Sequence, residues 1–265
     1  MAELFQYSST GAKPKPPVPL VSILTGTTGR QSLVDTVQSV IKQSHDRIQH
    51  LVFVDGTESH VKTTLLLDPL LNPNLDVVYL PYAVGKDRWN AHRMYAAGTY
   101  LAEGQFIMFL DDDNTLEPDH IASLLEVINK GNDWAFSFRN IMEEGKIICQ
   151  DNCESLGKWH SCINQADQFV DVNCYLLRRD VAVAMSPVWF RKFREPGQPE
   201  VDRVMFHVLS QRISPKFDTS YKYTLNYAVG TSPLSVQKDF FIKGNEAMLK
   251  LYNGVLPWQK ILTQS

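Results

Sequence analysis

The sequence lacks any apolar run long enough to cross a membrane. A bilayer-spanning helix needs roughly 18–20 consecutive apolar residues, and no such stretch occurs in the 265 residues of the chain. The first residues also show no basic region followed by an apolar segment, so we see no signal peptide. We therefore expect a cytoplasmic protein without a transmembrane segment.

An excess of positive charge and a cysteine framework are missing as well. The formal net charge is −3, so nothing favours a nucleic-acid partner or an anionic membrane surface. Without a secretion signal the cysteines are expected to be reduced thiols, and their spacing does not fit paired Cys-x-x-Cys zinc motifs. There are four of them: Cys149, Cys153, Cys162 and Cys174.

No internal repeat and no clear linker divides the chain. Residues 1–19 contain a polar, proline-rich stretch, which predicts a flexible lead-in. The hydrophobic content of 44% is enough for a substantial core. We therefore expect residues 20–265 to form a single domain.

What the sequence does contain is an alternation of strand and helix patterns. A β-rich run at residues 20–24 is followed by a glycine-containing loop, a helical pattern at 32–43 and a strand at 51–54. This order predicts a βαβ unit with parallel strands. The loop, Thr25-Gly-Thr-Thr-Gly-Arg30, matches neither the P-loop nor the dinucleotide-binding glycine pattern.

The most informative stretch is an apolar strand at residues 106–110 that ends in three carboxylates, Asp111, Asp112 and Asp113. Neighbouring carboxylates repel one another, so such a cluster favours a bound cation. Hard oxygen ligands suit Mg²⁺ or Mn²⁺. Ligands of open α/β sheets bind outside the carboxyl ends of the strands. The pattern therefore predicts a divalent-cation site at this end of the strand.

Two other interpretations of the acidic stretch were weighed. A calcium loop of the EF-hand type needs glycine and glutamate where Leu116 and Ala122 stand, which excludes it. A phosphatase of the haloacid dehalogenase type opens with Asp-x-Asp-x-Thr, which Asp111, Asp113 and Thr115 match. That motif should come early in its domain and be followed by a second acidic pair, and neither holds. The phosphatase is kept as an alternative function.

Three segments in order resemble the nucleotide-sugar half of a GT-A glycosyltransferase of family 2. They are residues 20–30, residues 51–56 and the Asp-x-Asp (DxD) stretch at 104–113. The resemblance covers about residues 20–130 well and extends more loosely to Arg203. It implies an α/β fold of the GT-A type, a Rossmann-like three-layer sandwich with a mostly parallel central sheet. Residues 20–130 would form the nucleotide-sugar-binding half, and 131–265 the acceptor half and C-terminal cover.

The resemblance also implies roles for individual residues. Asp111 and Asp113 would hold the metal ion, and Asp55 would contact the uracil or ribose of the donor. The catalytic base would stand at a helix start about ninety residues after the DxD motif; we favour Asp202, with Glu200 as the rival. Other implied donor contacts are Thr25, Gly26, Thr27, Arg30, Arg93, Asp111 and Asp112, and the acceptor side would include Glu154 and Asp171.

The expected activity is a metal-dependent, inverting transfer of one sugar of the hexose type. The donor would be a nucleoside diphosphate sugar, with UDP favoured, and the acceptor a glycan or another hydroxyl compound. The alternative to an enzyme is a nucleotide-sugar-binding module without catalysis. The polar loop at residues 151–167 is expected either to close over the donor as a lid or to be packed through Leu156 and Trp159.

Overall fold

The structure is a computed structural model that describes residues 18–87, 89–161, 168–190, 201–231 and 235–262. Within these ranges the strands are β1 Val21–Thr27, β2 Ile48–Val54, β3 Leu75–Tyr79, β4 Phe106–Phe109, β5 Thr115–Leu116, β6 Trp134–Glu143, β7 Lys146–Gln150, β8 Tyr175–Arg178 and β9 Phe217–Ala228. The α-helices are α1 Leu33–Ile41, α2 His60–Leu67, α3 His92–Leu101, α4 His120–Ile128, α5 Arg179–Met185, α6 Val201–Val208, α7 Lys238–Leu251 and α8 Pro257–Leu262.

One sheet joins all the described strands, in the order β3-β2-β1-β4-β8-β6-β9-β5. Strand β7 pairs with the later part of β6, from Asn140 to Glu143, beyond the residues that pair with β8. The strands β1 to β4 are parallel to one another, as the βαβ pattern predicted. Strand β8 runs antiparallel to β4 and β6, whereas β6 and β9 are parallel. The predicted α/β fold with a mostly parallel sheet is therefore confirmed, and every antiparallel pair includes a strand from the second half of the chain.

Helices cover both faces of the sheet, which makes the three layers. Val52 of β2 packs with Leu33 and Val37 of α1 and with Leu67 of α2. The next residue, Phe53, lies in the other cluster of buried side chains, which extends from Val21 to Trp258. Because neighbouring residues of a strand point to opposite faces, the apolar run of β2 is buried on both sides.

Gly98 shows how closely α3 approaches the sheet. A Cβ atom at Gly98 would lie 2.8 Å from the ring of Phe53 and 3.1 Å from the side chain of Leu24. Such contacts are too short for a real side chain, so glycine is needed at this crossing. The close packing fixes α3 above β1 and β2, next to the end of the sheet where the acidic residues lie.

Several local expectations are settled by the structure. The three described cysteines, Cys149, Cys153 and Cys174, are free thiols as predicted; Cys162 lies outside the described ranges. No helix in those ranges has the length and apolarity of a membrane span. Most of the predicted lead-in, residues 1–17, also falls outside the part of the chain that the structure describes.

Candidate active site

A cavity of about 350 Å³ opens at the carboxyl ends of β1, β2 and β4. Gly26 and Thr27 at the end of β1, Asp55 after β2 and the acidic residues after β4 share its wall. Parallel strands bring their carboxyl ends to one edge of the sheet. The fold therefore assembles at one place residues that are up to 87 positions apart in sequence, from Gly26 to Asp113.

Asp55 closes one side of this cavity. Its carboxylate accepts hydrogen bonds from the backbone N–H groups of Val84 at 2.6 Å and Gly85 at 3.0 Å. A Cβ at Gly85 would lie 2.8 Å from Asp55 Oδ2 and 2.6 Å from the carbonyl oxygen of Asn90. The absence of a side chain at Gly85 thus lets the loop after β3 bind Asp55 and line the cavity.

The three consecutive aspartates have different surroundings. Asp111 accepts from the Tyr95 hydroxyl at 2.7 Å and from Asn173 Nδ2 at 2.9 Å. Asp112 is buried and accepts from the Thr27 hydroxyl at 2.6 Å, which ties the acidic turn to β1. Asp113 accepts from Arg30 Nη1 at 2.7 Å, and its side chain keeps about 18% exposure.

Burial and mutual repulsion disfavour the negative charges of all three. Burial, and then the charge of Asp113, raise the pKa of Asp111 to about 6, although the bonds from Tyr95 and Asn173 act in the opposite direction. Burial likewise raises the pKa of Asp112, and burial with the charge of Asp112 raises the pKa of Asp113. A divalent cation near Asp111 and Asp113 would remove this unfavourable electrostatic energy.

The carboxylate oxygens present fit a cation whose remaining ligands come from a substrate. Within the described residues, no group of three or more His, Cys, Asp or Glu side chains is arranged to hold a metal by itself. Asp111 and Asp113 nevertheless line the same cavity. Mg²⁺-type sites commonly use one or two carboxylates together with substrate phosphates. The two carboxylates suit this kind of site.

A second cavity, of about 490 Å³, adjoins the first. Asn90, Ala91 and Asp111 line both. The other side of the second cavity carries Asp202 at the start of α6, and further lining residues include Arg139, Glu154, Phe169, Asp171, Asn173, Arg203, Tyr227 and Phe241. We call the first the donor cavity and the second the acceptor cavity, after the roles that the sequence analysis expects of their residues.

Arg139 is the charged centre of the acceptor-cavity wall. Its guanidinium, only 3% exposed, donates to Asp151 at 2.7 Å, to Asp171 at 2.6 Å and to Glu154 at 3.3 Å. Burial opposes its positive charge, but the carboxylates of Asp151 and Asp171 outweigh this and raise the pKa of Arg139. The ring of Tyr227 lies 4.3 Å from the guanidinium carbon.

Asp202 lies in the first turn of α6 and is partly exposed to the acceptor cavity. Its Oδ1 accepts from the backbone N–H of Arg203 at 2.8 Å and contacts Arg203 Nη1 at 3.4 Å. Burial nevertheless raises its pKa to about 6, against the influence of Arg203. Burial is therefore a larger influence on its charge than Arg203.

Two of the residues expected to bind the donor lie elsewhere. Thr25 is fully buried in β1, and its hydroxyl bonds His50 Nε2 at 3.0 Å, so a donor contact does not fit this position. Arg93 lies with its guanidinium 3.9 Å from the centre of the Trp89 ring and donates to the carbonyl of Val84 at 3.4 Å.

The other candidates fall into two groups. Gly26, Thr27, Arg30, Asp55, Asp111, Asp112 and Asp113 line the donor cavity. Glu154, Asp171 and Asp202 line the acceptor cavity. Glu200, the rival base, lies outside the described residues.

Sequence reasoning missed Arg139, Asn173 and Tyr95. A charged residue within the otherwise apolar strand pattern around Arg139 was a usable signal, because arginine is almost never fully buried without partners. Tyr95 and Asn173 had no comparable signal, since their roles depend on contacts with Asp111 across 16 and 62 positions.

Comparisons with known proteins bear on the family and the fold. The family model described as glycosyl transferase family 2 matches residues 22–147. Among solved structures, S. aureus TarS 1-349 in complex with UDP-GlcNAc superimposes with a TM-score of 0.58 at 14% identity, covering 84% of this chain and 64% of that chain. TarS 1-349 in complex with UDP gives a TM-score of 0.56 at 16% identity, covering 79% of this chain and 60% of that one.

A third structure, the mannosyltransferase PcManGT from Pyrobaculum calidifontis in complex with GDP-Man and Mn²⁺, has a TM-score of 0.56 at 10% identity. The match covers 91% of this chain and 66% of that chain. The present chain thus spans less than two thirds of the length of these TarS structures. No curated protein sequence matches it significantly.

The fold is therefore the GT-A fold of these glycosyltransferase structures. Residues 22–147 match the model of glycosyl transferase family 2, the family that the strand order and the acidic stretch had indicated. Neither the family match nor the fold supports the phosphatase alternative.

Proposed function

We propose that the protein transfers a single sugar, with inversion, from a nucleoside diphosphate sugar to an acceptor hydroxyl, and that a divalent cation is required. The observation that carries this proposal is the meeting of two cavities at Asp111. One is lined by the acidic stretch and the other by Asp202. In an inverting transfer the acceptor oxygen attacks the anomeric carbon from the side opposite the leaving nucleoside diphosphate, and a base beside that oxygen takes its proton.

Donor binding is assigned to the donor cavity. Its wall combines Arg30, which can approach a phosphate, with Asp55, which fits a contact to the uracil or the ribose. UDP is favoured as the nucleotide because two of the similar structures contain UDP or UDP-GlcNAc; GDP is the alternative suggested by the third. Residues 20–130 would then be the donor half, and 131–265 the acceptor half.

Asp111 and Asp113 would hold Mn²⁺ or Mg²⁺ against the donor diphosphate. When bound, the cation neutralises negative charge that develops on the departing nucleoside diphosphate. The chain's own contribution is the position of the carboxylates, which Tyr95, Asn173 and Arg30 contact. A similar protein that contains Mn²⁺ with its nucleotide sugar supports this assignment.

Asp202 would accept the proton of the acceptor hydroxyl as its oxygen attacks the anomeric carbon. With a pKa of about 6, the carboxylate is ionised at neutral pH yet more basic than an ordinary aspartate. General bases work best when their pKa lies near the working pH. Asp171 is less suited to this role, because both of its carboxylate oxygens already accept hydrogen bonds from Arg139 or Asn173.

The test is release of UDP or GDP from a panel of nucleotide sugars, with Mn²⁺ and with EDTA. Cation-dependent release, by transfer to added acceptors or by slow hydrolysis, is the expected result. Binding of a nucleotide sugar without any release would instead indicate a non-catalytic binding module. Equal release with EDTA would remove the metal from the proposal.

A further inference from the structure

Asn173 contacts Asp111 at two points. Its Nδ2 donates to Asp111 Oδ2 at 2.9 Å, and its Oδ1 accepts from the backbone N–H of Asp111 at 2.5 Å. Tyr95 donates to the other carboxylate oxygen, Oδ1. Each oxygen of Asp111 thus has a protein donor, so both the orientation of the carboxylate and the backbone before the acidic turn are fixed.

Asn173 is itself held from the other side. Asp171 Oδ1 accepts from the backbone N–H of Asn173 at 2.9 Å and from its Nδ2 at 2.8 Å. The second oxygen of Asp171 binds Arg139 at 2.6 Å. Asn173 is 1% exposed, and its side chain uses both N–H donors and its oxygen in these contacts.

These contacts form a continuous path between the two cavities. Arg139 holds Glu154 and Asp171 in the wall of the acceptor cavity. Asp171 fixes Asn173, and Asn173 fixes Asp111 at the edge of the donor cavity. Groups behind a metal-binding carboxylate orient it, and their removal typically costs 10–100-fold in metal affinity or activity.

We propose that Asn173 is a positioning residue that holds Asp111 in the orientation needed to bind the cation and donor together. Through Asp171 and Arg139, this orientation is tied to the acceptor-cavity wall. The inference rests on the proposed role of Asp111 in cation-dependent donor binding. Asn173 does not contact the reacting atoms in this assignment and acts only through Asp111.

The test is calorimetric titration of UDP into wild type and Asn173→Ala, each with Mn²⁺ and with EDTA. We expect Asn173→Ala to lower the UDP affinity measured with Mn²⁺ by about 10–100-fold and to change the affinity measured with EDTA little. A merely structural defect would lower both affinities together. An unchanged affinity with Mn²⁺ would overturn the proposal.

Asn140→Ala is the matched control. Asn140 is also buried and donates two side-chain hydrogen bonds, to the Tyr223 carbonyl and to Asn226 Oδ1. It follows Arg139 in β6, so its side chain points to the opposite face. The control should lose comparable thermal stability but keep the Mn²⁺-dependent affinity; an equal loss in both variants would contradict the proposal.

Asn173→Ser provides a second variant, because a serine hydroxyl is too short to reach Asp111 and leaves less empty volume. If Asn173→Ala and Asn173→Ser both fail to fold while Asn140→Ala folds, Asn173 serves the fold itself and the proposal is wrong. If wild type shows no Mn²⁺-dependent UDP binding, the proposed function fails instead. The two failures are therefore distinguishable.

Discussion

At the scale of single residues, the three aspartates of the acidic stretch have different structural roles although their side chains are identical. All three line the donor cavity, but the buried Asp112 is bonded to the Thr27 hydroxyl and so anchors the turn to β1, whereas Asp111 is bonded to Tyr95 and Asn173 and Asp113 to Arg30. The sequence predicted a cation site from the charge density alone. It could not separate these roles, because they depend on contacts with residues distant in sequence.

The metal assignment predicts cooperative binding of cation and nucleotide. Two carboxylates without substrate phosphates make a weak site, and Arg30 already contacts Asp113 at 2.7 Å. Mn²⁺ titrated into the protein alone should bind weakly, and much more tightly when UDP is present. Asp113→Ala should abolish this enhancement. Equal Mn²⁺ affinity with and without UDP, or normal turnover of Asp113→Ala, would contradict the assignment.

The base assignment predicts a large effect of one isosteric change. Asp202→Asn keeps the shape but removes the proton acceptor, so transfer should fall by about 10²–10⁴-fold, while UDP affinity stays near the wild-type value. Transfer rates and calorimetric UDP binding measure the two quantities. Glu200→Gln is the matched comparison: if it slows transfer and Asp202→Asn does not, the base is Glu200.

The raised pKa of Asp202 predicts the acidic limb of the pH profile. Below pH 6 the carboxyl group is protonated and cannot accept a proton. With saturating Mn²⁺, which keeps Asp111 ionised although its own pKa is also about 6, kcat/KM should rise through about pH 6 and level off above it. In Asp202→Asn, the residual activity should lack this limb. A limb that persists unchanged in that variant would show that another group is titrating.

At the scale of elements, the described part of the loop after β7, residues 151–161, is packed against the rest of the protein. Asp151 accepts from the backbone N–H groups of Cys153 and Glu154, and Leu156 is 2% exposed. A Cβ at Gly157, whose φ is +63°, would lie 2.3 Å from the Phe136 ring. Trp159 contacts the rings of Phe138 and Trp258. These contacts favour the packed alternative for residues 151–161.

Hydrogen exchange tests this directly. Amides of residues 151–161 should exchange slowly in the free protein, because the segment is buried and bonded, and UDP with Mn²⁺ should change them little. The loop at residues 84–85, whose amides bind Asp55 beside the donor cavity, serves as an internal comparison and should gain protection. A large gain in protection across residues 151–161 would contradict the packed alternative and support the hypothesis that the loop closes over the donor as a lid.

The elements also show where sequence patterns mislead. Apolar and polar residues alternate at residues 169–175, a pattern that is typical of a strand. Instead, Val172–Cys174 forms a 3-10 turn and the strand begins at Tyr175. The polar residues of that alternation, Asp171 and Asn173, are not turned to solvent but bond Arg139 and Asp111. The alternation identifies polar positions, but it does not predict whether those side chains face solvent or bind buried polar partners.

For the other elements, the outcome depended on how clear the pattern of apolar residues was. The βαβ unit and the strand before the acidic stretch were predicted correctly, since their apolar runs are long and buried on both faces. Helix α2 was not recognised, because its apolar residues Val61 and Leu65 are exposed and give no clear face.

At the scale of the whole molecule, the fold joins two sets of charged residues that the sequence keeps apart. The donor cavity could be anticipated, because parallel strands bring their carboxyl ends together by rule. The Arg139 cluster could not, since its partners Asp151, Glu154 and Asp171 follow at separations of 12, 15 and 32 positions in irregular segments. Removing one member of such a buried ion cluster typically costs about 3–5 kcal/mol.

The molecule as a whole should be stabilised by its donor, which gives the broadest test of nucleotide preference. A ligand present at 100 times its dissociation constant contributes about 2.7 kcal/mol, and each kcal/mol raises Tm by about 2–4 °C in a domain of this size. With Mn²⁺, UDP should therefore raise Tm by roughly 5–10 °C, and ADP should not. EDTA or Asp113→Ala should remove the shift. A larger shift with GDP would assign a guanine nucleotide to the donor cavity, and equal shifts with UDP, GDP and ADP would show that its walls do not select the base.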